Sequence, residues 1–197
     1  MMKAHNPLNG RRLAFLQLLL CGLCLGQINC GQTTPHPLDK TQALKDVKVS
    51  SVNGWKEMVL DKGRFRVLFP REPETEDNPA MHGYKLKSAE TNWFAYYNDF
   101  EEPRTNDETK LRDAYHKSVE ALTKKGSKLL KQVDVRLNGR LGSEFVLEGP
   151  GTVSYMRAFM IGRRLYTLVV DSKRAVNGDA TIPQDVQQFF DSFTFWD

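Results

Sequence analysis

The stretch "KQVDVRLNGRLGSEFVLE", residues 131–148, decides the fold of this chain. It contains two runs in which apolar and polar residues alternate, the pattern of strands with one buried face. Between the runs lie Asn138 and Gly139, a dipeptide that readily adopts positive φ at both positions and is typical of a type I′ turn. The stretch therefore predicts a tight antiparallel hairpin.

Similar strand patterns continue on both sides of this hairpin. Glycine-containing turns at 149–151 and at Gly162 separate two further runs, "TVSYMRAFMI" and "RRLYTLVVD", so four consecutive antiparallel strands are expected. The acidic run "REPETEDNP" carries two prolines and is predicted to be a loop. Four more strands are predicted upstream, in "WKEMVL", "GRFRVLFP", "HGYKLKSAE" and "NWFAYYNDF".

Two helices interrupt the strands. The first follows Thr105 and Glu108, which have the spacing of a capping box, and its apolar residues recur at helical spacing until Gly126. The second is the short run "QDVQQFF" after Pro183. The resulting order, β-β-β-β-α-β-β-β-β-α, lacks the strict alternation that produces parallel sheets. We predict an α+β domain, an antiparallel sheet flanked by helices.

The first 30 residues have the pattern of a secretory signal peptide. Lys3, Arg11 and Arg12 give this segment a positive start without any acidic residue, and an apolar run follows from Leu13 to Gly26. A run of this length is typical of a signal peptide and too short for a membrane-spanning helix, which needs about 20 residues. An uncleaved signal anchor and a buried core helix are the alternatives.

All three cysteines lie at this end of the chain. Cys21 and Cys24 have the C-x-x-C spacing of a redox motif, but they fall inside the apolar run and are interpreted as small apolar residues of a discarded segment. Cys30 follows the run, where a bacterial lipoprotein signal is cut and the cysteine lipid-modified. Gln27 and Asn29 depart from the usual lipoprotein pattern, so ordinary cleavage and an unlipidated secreted protein remain open.

Residues 31–52 are predicted to be a flexible tether and residues 53–197 a single domain. The polar, proline-containing start of the tether fits this role. Three of the 28 basic residues lie in the signal segment, which leaves 25 basic against 24 acidic residues in the remainder. Nucleic-acid binding requires a clustered basic excess, so we expect no nucleic-acid partner.

The sequence contains none of the common catalytic or nucleotide-binding motifs. Its four histidines are scattered, so neither a metal site nor a cofactor is predicted. Glu144 and Arg157 are expected to form a cross-strand ion pair. Its default role is structural, with ligand or partner binding as the functional alternative.

Two rival functions remain open. A carboxylate-dependent hydrolase needs Glu144 to converge with a second acid such as Asp171 or Asp113. A soluble small-ligand carrier needs an apolar cavity, which would lie among Phe65, Trp93, Phe145 and Phe159.

Two stretches resemble a known family. "GRFRVLFPREP" is similar to the first hairpin, and "RAFMIGRRLYTLVV" with "FFDSFTF" to the last strands and helix, of the bacterial branch of the PsbP-like superfamily. That superfamily includes the extrinsic PsbP protein of photosystem II and a Ran-binding import factor. The resemblance spans residues 55–195 and implies an α/β/α sandwich with a binding or accessory role rather than an enzymatic one.

These observations together predict an exported, lipid-anchored, non-enzymatic binding or accessory protein of a bacterial cell envelope. Its lipid would be attached at Cys30 and would anchor it to the outer or the cytoplasmic membrane, with the domain facing the periplasm or the exterior. Its partner would be a protein at that membrane surface. A soluble periplasmic or secreted form is the alternative.

Overall fold

A computed structural model of the chain describes residues 49–52, 54–78, 81–173 and 180–196. This part of the chain contains two helices, α1 (Glu108–Thr123) and α2 (Gln184–Ser192). It also contains the strands β1 (Val49–Val52), β2 (Trp55–Leu60), β3 (Phe65–Phe69), β4 (Glu74–Asn78), β5 (Met81–Lys87), β6 (Thr91–Asp99), β7 (Lys128–Leu137), β8 (Arg140–Gly149), β9 (Thr152–Ile161), β10 (Arg164–Ser172) and β11 (Thr194–Phe195).

The strands form two antiparallel sheets. The larger sheet has seven strands in the order β4-β5-β6-β10-β9-β8-β7, and the smaller has four in the order β1-β2-β3-β11. Every pair of neighbouring strands is antiparallel. The fold is therefore mostly antiparallel sheet, as the hairpin pattern predicted.

Both faces of the seven-stranded sheet are buried, each by a different layer. One face, called here the α1 face, packs against Leu111, Tyr115 and Val119 of α1. The other, called the α2 face, packs against the four-stranded sheet and α2, including Phe65 and Phe189. Because successive strand residues point to opposite faces, alternate residues of each strand belong to the same layer.

The hairpin between β7 and β8 has the predicted turn. Asn138 and Gly139 have φ angles of 51° and 74°, the left-handed values of a type I′ turn. The side-chain amide of Asn138 donates a hydrogen bond to the carbonyl oxygen of Phe195 at 3.2 Å. The hairpin tip is thereby attached to β11 of the smaller sheet.

The structure corrects the prediction of an α/β/α sandwich. One outer layer is α1, but the other contains a second β-sheet as well as α2, so sheet dominates the architecture. The run predicted as an acidic loop contains strand β4, which pairs with β5. Strand β1 consists of the last four residues of the segment assigned to the tether and pairs with β2, so the sheet begins before residue 53.

The N-cap of helix α1 is Asp107, two residues later than the capping pattern predicted. The side chain of Asp107, not Thr105, accepts hydrogen bonds from the backbone N–H groups of Thr109 and Lys110, at 2.9 and 3.2 Å. The Thr105 hydroxyl instead accepts from the N–H of Asp107 at 3.0 Å. An aspartate at this position satisfies amides of the first turn and also favours the positive end of the helix dipole.

Candidate functional site

Glu144 and Arg157 lie opposite each other on neighbouring strands. Glu144 on β8 has Arg157 on β9 and Val133 on β7 as its Cα partners. It lies on the α2 face and is only 4% exposed. The two hairpin turns that fix this register were visible in the sequence, and the predicted contact between the two side chains is present.

The Glu144 carboxylate is held by two cations. Arg157 donates to Oε2 from Nη2 at 2.8 Å and from Nε at 3.3 Å, and Lys131 Nζ donates to Oε1 at 3.1 Å. Both carboxylate oxygens therefore have charged donors, which a buried carboxylate requires. Because these hydrogen bonds neutralise the carboxylate within the domain, they favour a structural part for Glu144 over one as a catalytic base.

Arg157 extends this group of charges to helix α2. Its Nη1 donates to Asp191 Oδ1 at 3.0 Å, and its guanidinium lies 4.9 Å from the centre of the Phe190 ring. Gln187 Nε2 contacts both oxygens of Asp191 at 2.8 Å. We call Glu144, Arg157, Lys131 and Asp191 the Glu144 cluster, which joins β7, β8, β9 and α2.

Lys131 lies on the same face as Glu144 because the turn at Asn138 and Gly139 fixes its register, in which Lys131 pairs with Val146. The pairing of β7 with β8 shifts by one residue between Leu129 and Lys131. Because a shift of one residue reverses side-chain direction, the bulge turns Leu129 to the α1 face and leaves the direction of Lys131 unchanged. Sequence reasoning missed Lys131, although counting from the same turn places it on the face of Glu144. It missed Asp191 because the contact with α2 is non-local.

The two acids proposed as catalytic partners of Glu144 lie on the other side of the sheet. Asp171 follows Val170, which faces α2, so Asp171 points to the α1 face, where Ser154 Oγ donates to it at 2.6 Å. Asp113 is exposed on α1 itself. A sheet separates both from Glu144, and the prediction of a hydrolase built on either pair is wrong.

The four aromatic residues proposed to line a carrier cavity do not share one space. Phe145 faces α1, whereas Phe65, Trp93 and Phe159 face α2. The ring of Phe65 lies 5.6 Å from that of Phe193, and the ring of Trp93 lies 5.3 Å from that of Phe189. Side chains of the core therefore occupy the space in which a ligand was predicted.

A second polar cluster lies where the two sheets meet, at the β2–β3 turn. Arg164 forms two hydrogen bonds to Asp99, at 2.6 and 2.7 Å, and a third to the carbonyl oxygen of Lys62 at 2.9 Å. Its guanidinium lies 4.2 Å from the centre of the Tyr97 ring, and burial raises the pKa of Tyr97. Arg164 thus fastens the turn of the smaller sheet to the larger one.

The histidines within the described residues stay apart. His82 contacts Asp77 and lies 5.2 Å from the Tyr97 ring, centre to centre, while His116 on α1 lies 3.5 Å from Glu120. Within residues 54–78, 81–173 and 180–196, no three metal-ligating side chains cluster. In the same part of the chain, neither helix is long and apolar enough to cross a membrane. Cys30 and the predicted signal peptide lie outside the described residues.

No protein-family model and no curated protein matches this sequence. The fold is similar to the solution structure of cyanobacterial PsbP (CyanoP) from Synechocystis sp. PCC 6803, with a TM-score of 0.50 and 11% identity over 85% of this chain and 99% of that one. The Ran-binding protein Mog1p of Saccharomyces cerevisiae has a TM-score of 0.48 and 14% identity over 74% of this chain and 96% of its own. The chain has a PsbP-like fold, as the resemblance predicted. At this identity the likeness concerns the fold alone.

Proposed function

We propose that this chain is a non-enzymatic accessory protein of a bacterial envelope, exported, anchored by lipid at Cys30, and bound to a protein partner at the membrane surface. The signal-like segment, the position of Cys30 and the PsbP-like fold support this proposal. It requires neither a metal nor a cofactor. The surface that we assign to the partner is the free edge of β7.

The exposed edge of β7 is the observation that carries the binding proposal. The strand is ten residues long and, among the described strands, borders only β8. An edge strand offers unpaired N–H and C=O groups, which an extended segment of another protein can join as an additional strand. Val133, near the middle of this edge, is one of two large hydrophobic side chains among the described residues that are exposed, at 38%.

Ion pairs on both faces hold β7 in position. On the α1 face, Arg112 Nε donates to Asp134 at 2.6 Å and Arg136 Nη1 donates to Glu108 at 2.8 Å. On the α2 face, Lys131 reaches Glu144, which is itself held by Arg157. A rigid edge loses little conformational freedom when it binds. In this proposal Glu144 and Arg157 hold Lys131 and so keep β7 in position from the α2 face.

A photo-cross-linking amino acid at position 133, in cells that make the protein, tests the assigned surface. We expect one adduct of defined mass at position 133 and none at Thr75 on β4, the opposite edge of the same sheet. The substitution Val133→Lys should suppress the adduct formed from a neighbouring position, since a charge on an edge strand opposes pairing, whereas Val133→Thr should retain it. Equal adducts at both edges would contradict the assignment.

The anchor is tested by the mass of the mature N-terminal peptide. A diacylglyceryl group on Cys30 is the expected result. An unmodified N-terminus would remove the anchor from the proposal and favour the soluble secreted form, with the β7 edge still available to a partner.

A further inference from the structure

Several features come together at one end of the domain. Strand β1 pairs Val49 with Met58 of β2, so β1 begins at the side of the β2–β3 turn. Strand β11 ends at the same side, because Phe195 pairs with Phe65, the first residue of β3. We call this end, which also carries the hairpin tip at Asn138, the Trp196 end.

Trp196 is exposed at this end and held in place on two sides. It is the second exposed large hydrophobic side chain among the described residues, at 39%. Its backbone N–H donates to the carbonyl oxygen of Arg64 at 3.1 Å, and Asn138 binds the preceding carbonyl, that of Phe195, at 3.2 Å. The indole is therefore presented by a fixed backbone, not by a loose terminus.

Exposed cations lie at the same end of the domain as the indole. Lys62, Arg64, Arg66 and Arg140 are all exposed at or next to the turns of this end. Three acids are close to them in the fold or the sequence: Asp61, in the same turn, Glu57, whose carboxylate lies 3.8 Å from Arg66, and Asp197, which follows Trp196 in the sequence. Cations therefore outnumber acids on the side of the smaller sheet. We call Lys62, Arg64, Arg66, Arg140 and Trp196 the Trp196 patch.

We propose that the Trp196 patch docks on the headgroups of an anionic phospholipid bilayer. Tryptophan side chains favour the interface between lipid and water, and basic clusters are attracted to anionic headgroups. The inference rests on the proposed anchor in one respect: the chain between Cys30 and Val49 then joins the domain at the docking end. Its 18 residues reach at most about 60 Å when extended, enough for this end to touch the surface.

This docking fixes how the binding edge is presented. Strand β7 ends at Leu137, next to the hairpin tip at the Trp196 end, and begins at Lys128 at the far end. With the patch on the bilayer, β7 stands upright from the membrane. A partner strand would then add to the sheet along the membrane normal.

The test uses the mature chain isolated from the cells that make it, mixed with vesicles that contain brominated phosphatidylglycerol. Bromine quenches indole fluorescence at short range, so docking should quench the emission of Trp196. The substitution Trp196→Phe should remove the quenched component. Vesicles of brominated phosphatidylcholine, which carry no net charge, should quench it much less.

Charge variants sharpen the test. In Lys62→Gln/Arg66→Gln, the ratio of docked to undocked chain should fall about twenty-five-fold, since each cation near an anionic surface contributes about fivefold. The matched control, Lys110→Gln/Lys117→Gln, removes two exposed cations from α1 and should leave quenching unchanged.

Flotation with neutral phosphatidylcholine vesicles reports the anchor separately. A chain that floats but shows no quenching by phosphatidylglycerol vesicles retains its anchor and overturns the patch. A chain that does not float lacks the anchor. Quenching by added phosphatidylglycerol vesicles would then still support the patch, and no quenching would overturn it.

Discussion

The two faces of the seven-stranded sheet are buried in different ways. The α1 face is covered largely by a helix that directly precedes β7 in the chain, and most of its buried side chains are aliphatic. The α2 face is covered by elements from both ends of the described chain, and its centre is aromatic. There the Phe65 ring lies within 6.5 Å of the rings of Tyr84, Tyr97, Tyr166 and Phe193. Contacts between aromatic rings thus hold segments that are distant in sequence together on the α2 face. The helix that is close in sequence is held on the α1 face by an apolar stripe.

The largest effect expected from this contrast is that of Phe65→Ala. Phe65 is fully buried between the two sheets, and its removal leaves a cavity that surrounding rings cannot fill. We expect a loss of about 4–5 kcal/mol in the free energy of unfolding, against about 2–3 kcal/mol for Leu111→Ala on the α1 face. Urea unfolding of both variants measures the difference. Equal losses in the two variants would show that the two layers contribute equally to the free energy of unfolding.

The Glu144 cluster places charged side chains in the aromatic α2 face. The variant Arg157→Met should reveal the free-energy cost of burying the Glu144 carboxylate without its arginine partner. The variant leaves Glu144 buried with Lys131 as its remaining cation, and we expect a loss of about 3–5 kcal/mol. The double variant Glu144→Leu/Arg157→Met removes both charges and should recover stability to within about 1 kcal/mol of the native chain. A double variant as unstable as the single one would mean that the ion pair itself stabilises the fold.

Each face also has one glycine on which a neighbouring strand packs closely. A Cβ at Gly83, on the α1 face, would lie 2.1 Å from the carbonyl oxygen of Ala95, and one at Gly142, on the α2 face, 2.4 Å from the ring of Phe159. A Cβ at Gly142 would also lie 2.5 Å from the carbonyl oxygen of Ala158, so both sites meet backbone, but the approach is closer at Gly83. Gly83→Ala should therefore cost more than Gly142→Ala, for which about 1–3 kcal/mol is typical. Thermal unfolding ranks the two. Gly139→Asn is the control: the added Cβ meets no atom within 4 Å, so its cost should be only that of a left-handed φ, at most about 1–2 kcal/mol.

The smallest effect concerns alkaline pH and one tyrosine in each layer. Burial raises the pKa of Tyr84 and of Tyr115 to about 12, from the ordinary value near 10. Their neutral forms therefore stabilise the fold fully below pH 10, and this contribution is lost as pH rises from about 10 to 12. Between pH 9 and pH 11, the free energy of unfolding measured with urea should fall less in the variant Tyr115→Phe than in the native chain. An unchanged slope would contradict the assignment.

The same variant has a separate effect at neutral pH. The Tyr115 hydroxyl accepts a hydrogen bond from the N–H of Met160 at 2.9 Å, just beyond the last pair of β9 with β8. Its loss leaves that buried N–H without this acceptor, which typically costs about 1–3 kcal/mol.

Local signals in the sequence predicted most of the strands and one half of the candidate site. The turn at Asn138 and Gly139 sets the register of β8, and the next turn sets β9, so the contact between Glu144 and Arg157 followed from counting residues. Strand β4 was missed because its edge position allows acidic residues that resemble a loop. The smaller sheet was missed as a separate layer because the pairing of β11 with β3 joins residues far apart in sequence. The binding role of Glu144 and Arg157 stays a prediction.

The phenylalanines between residues 189 and 195 have a consequence for the order of events in synthesis. Phe189, Phe190, Phe193 and Phe195 all belong to the core of the α2 face, and they leave the ribosome after every strand of the larger sheet. Until then Phe65 and Phe159 lack the rings that cover them. The core of the α2 face is therefore completed only when the last residues of the domain have been made.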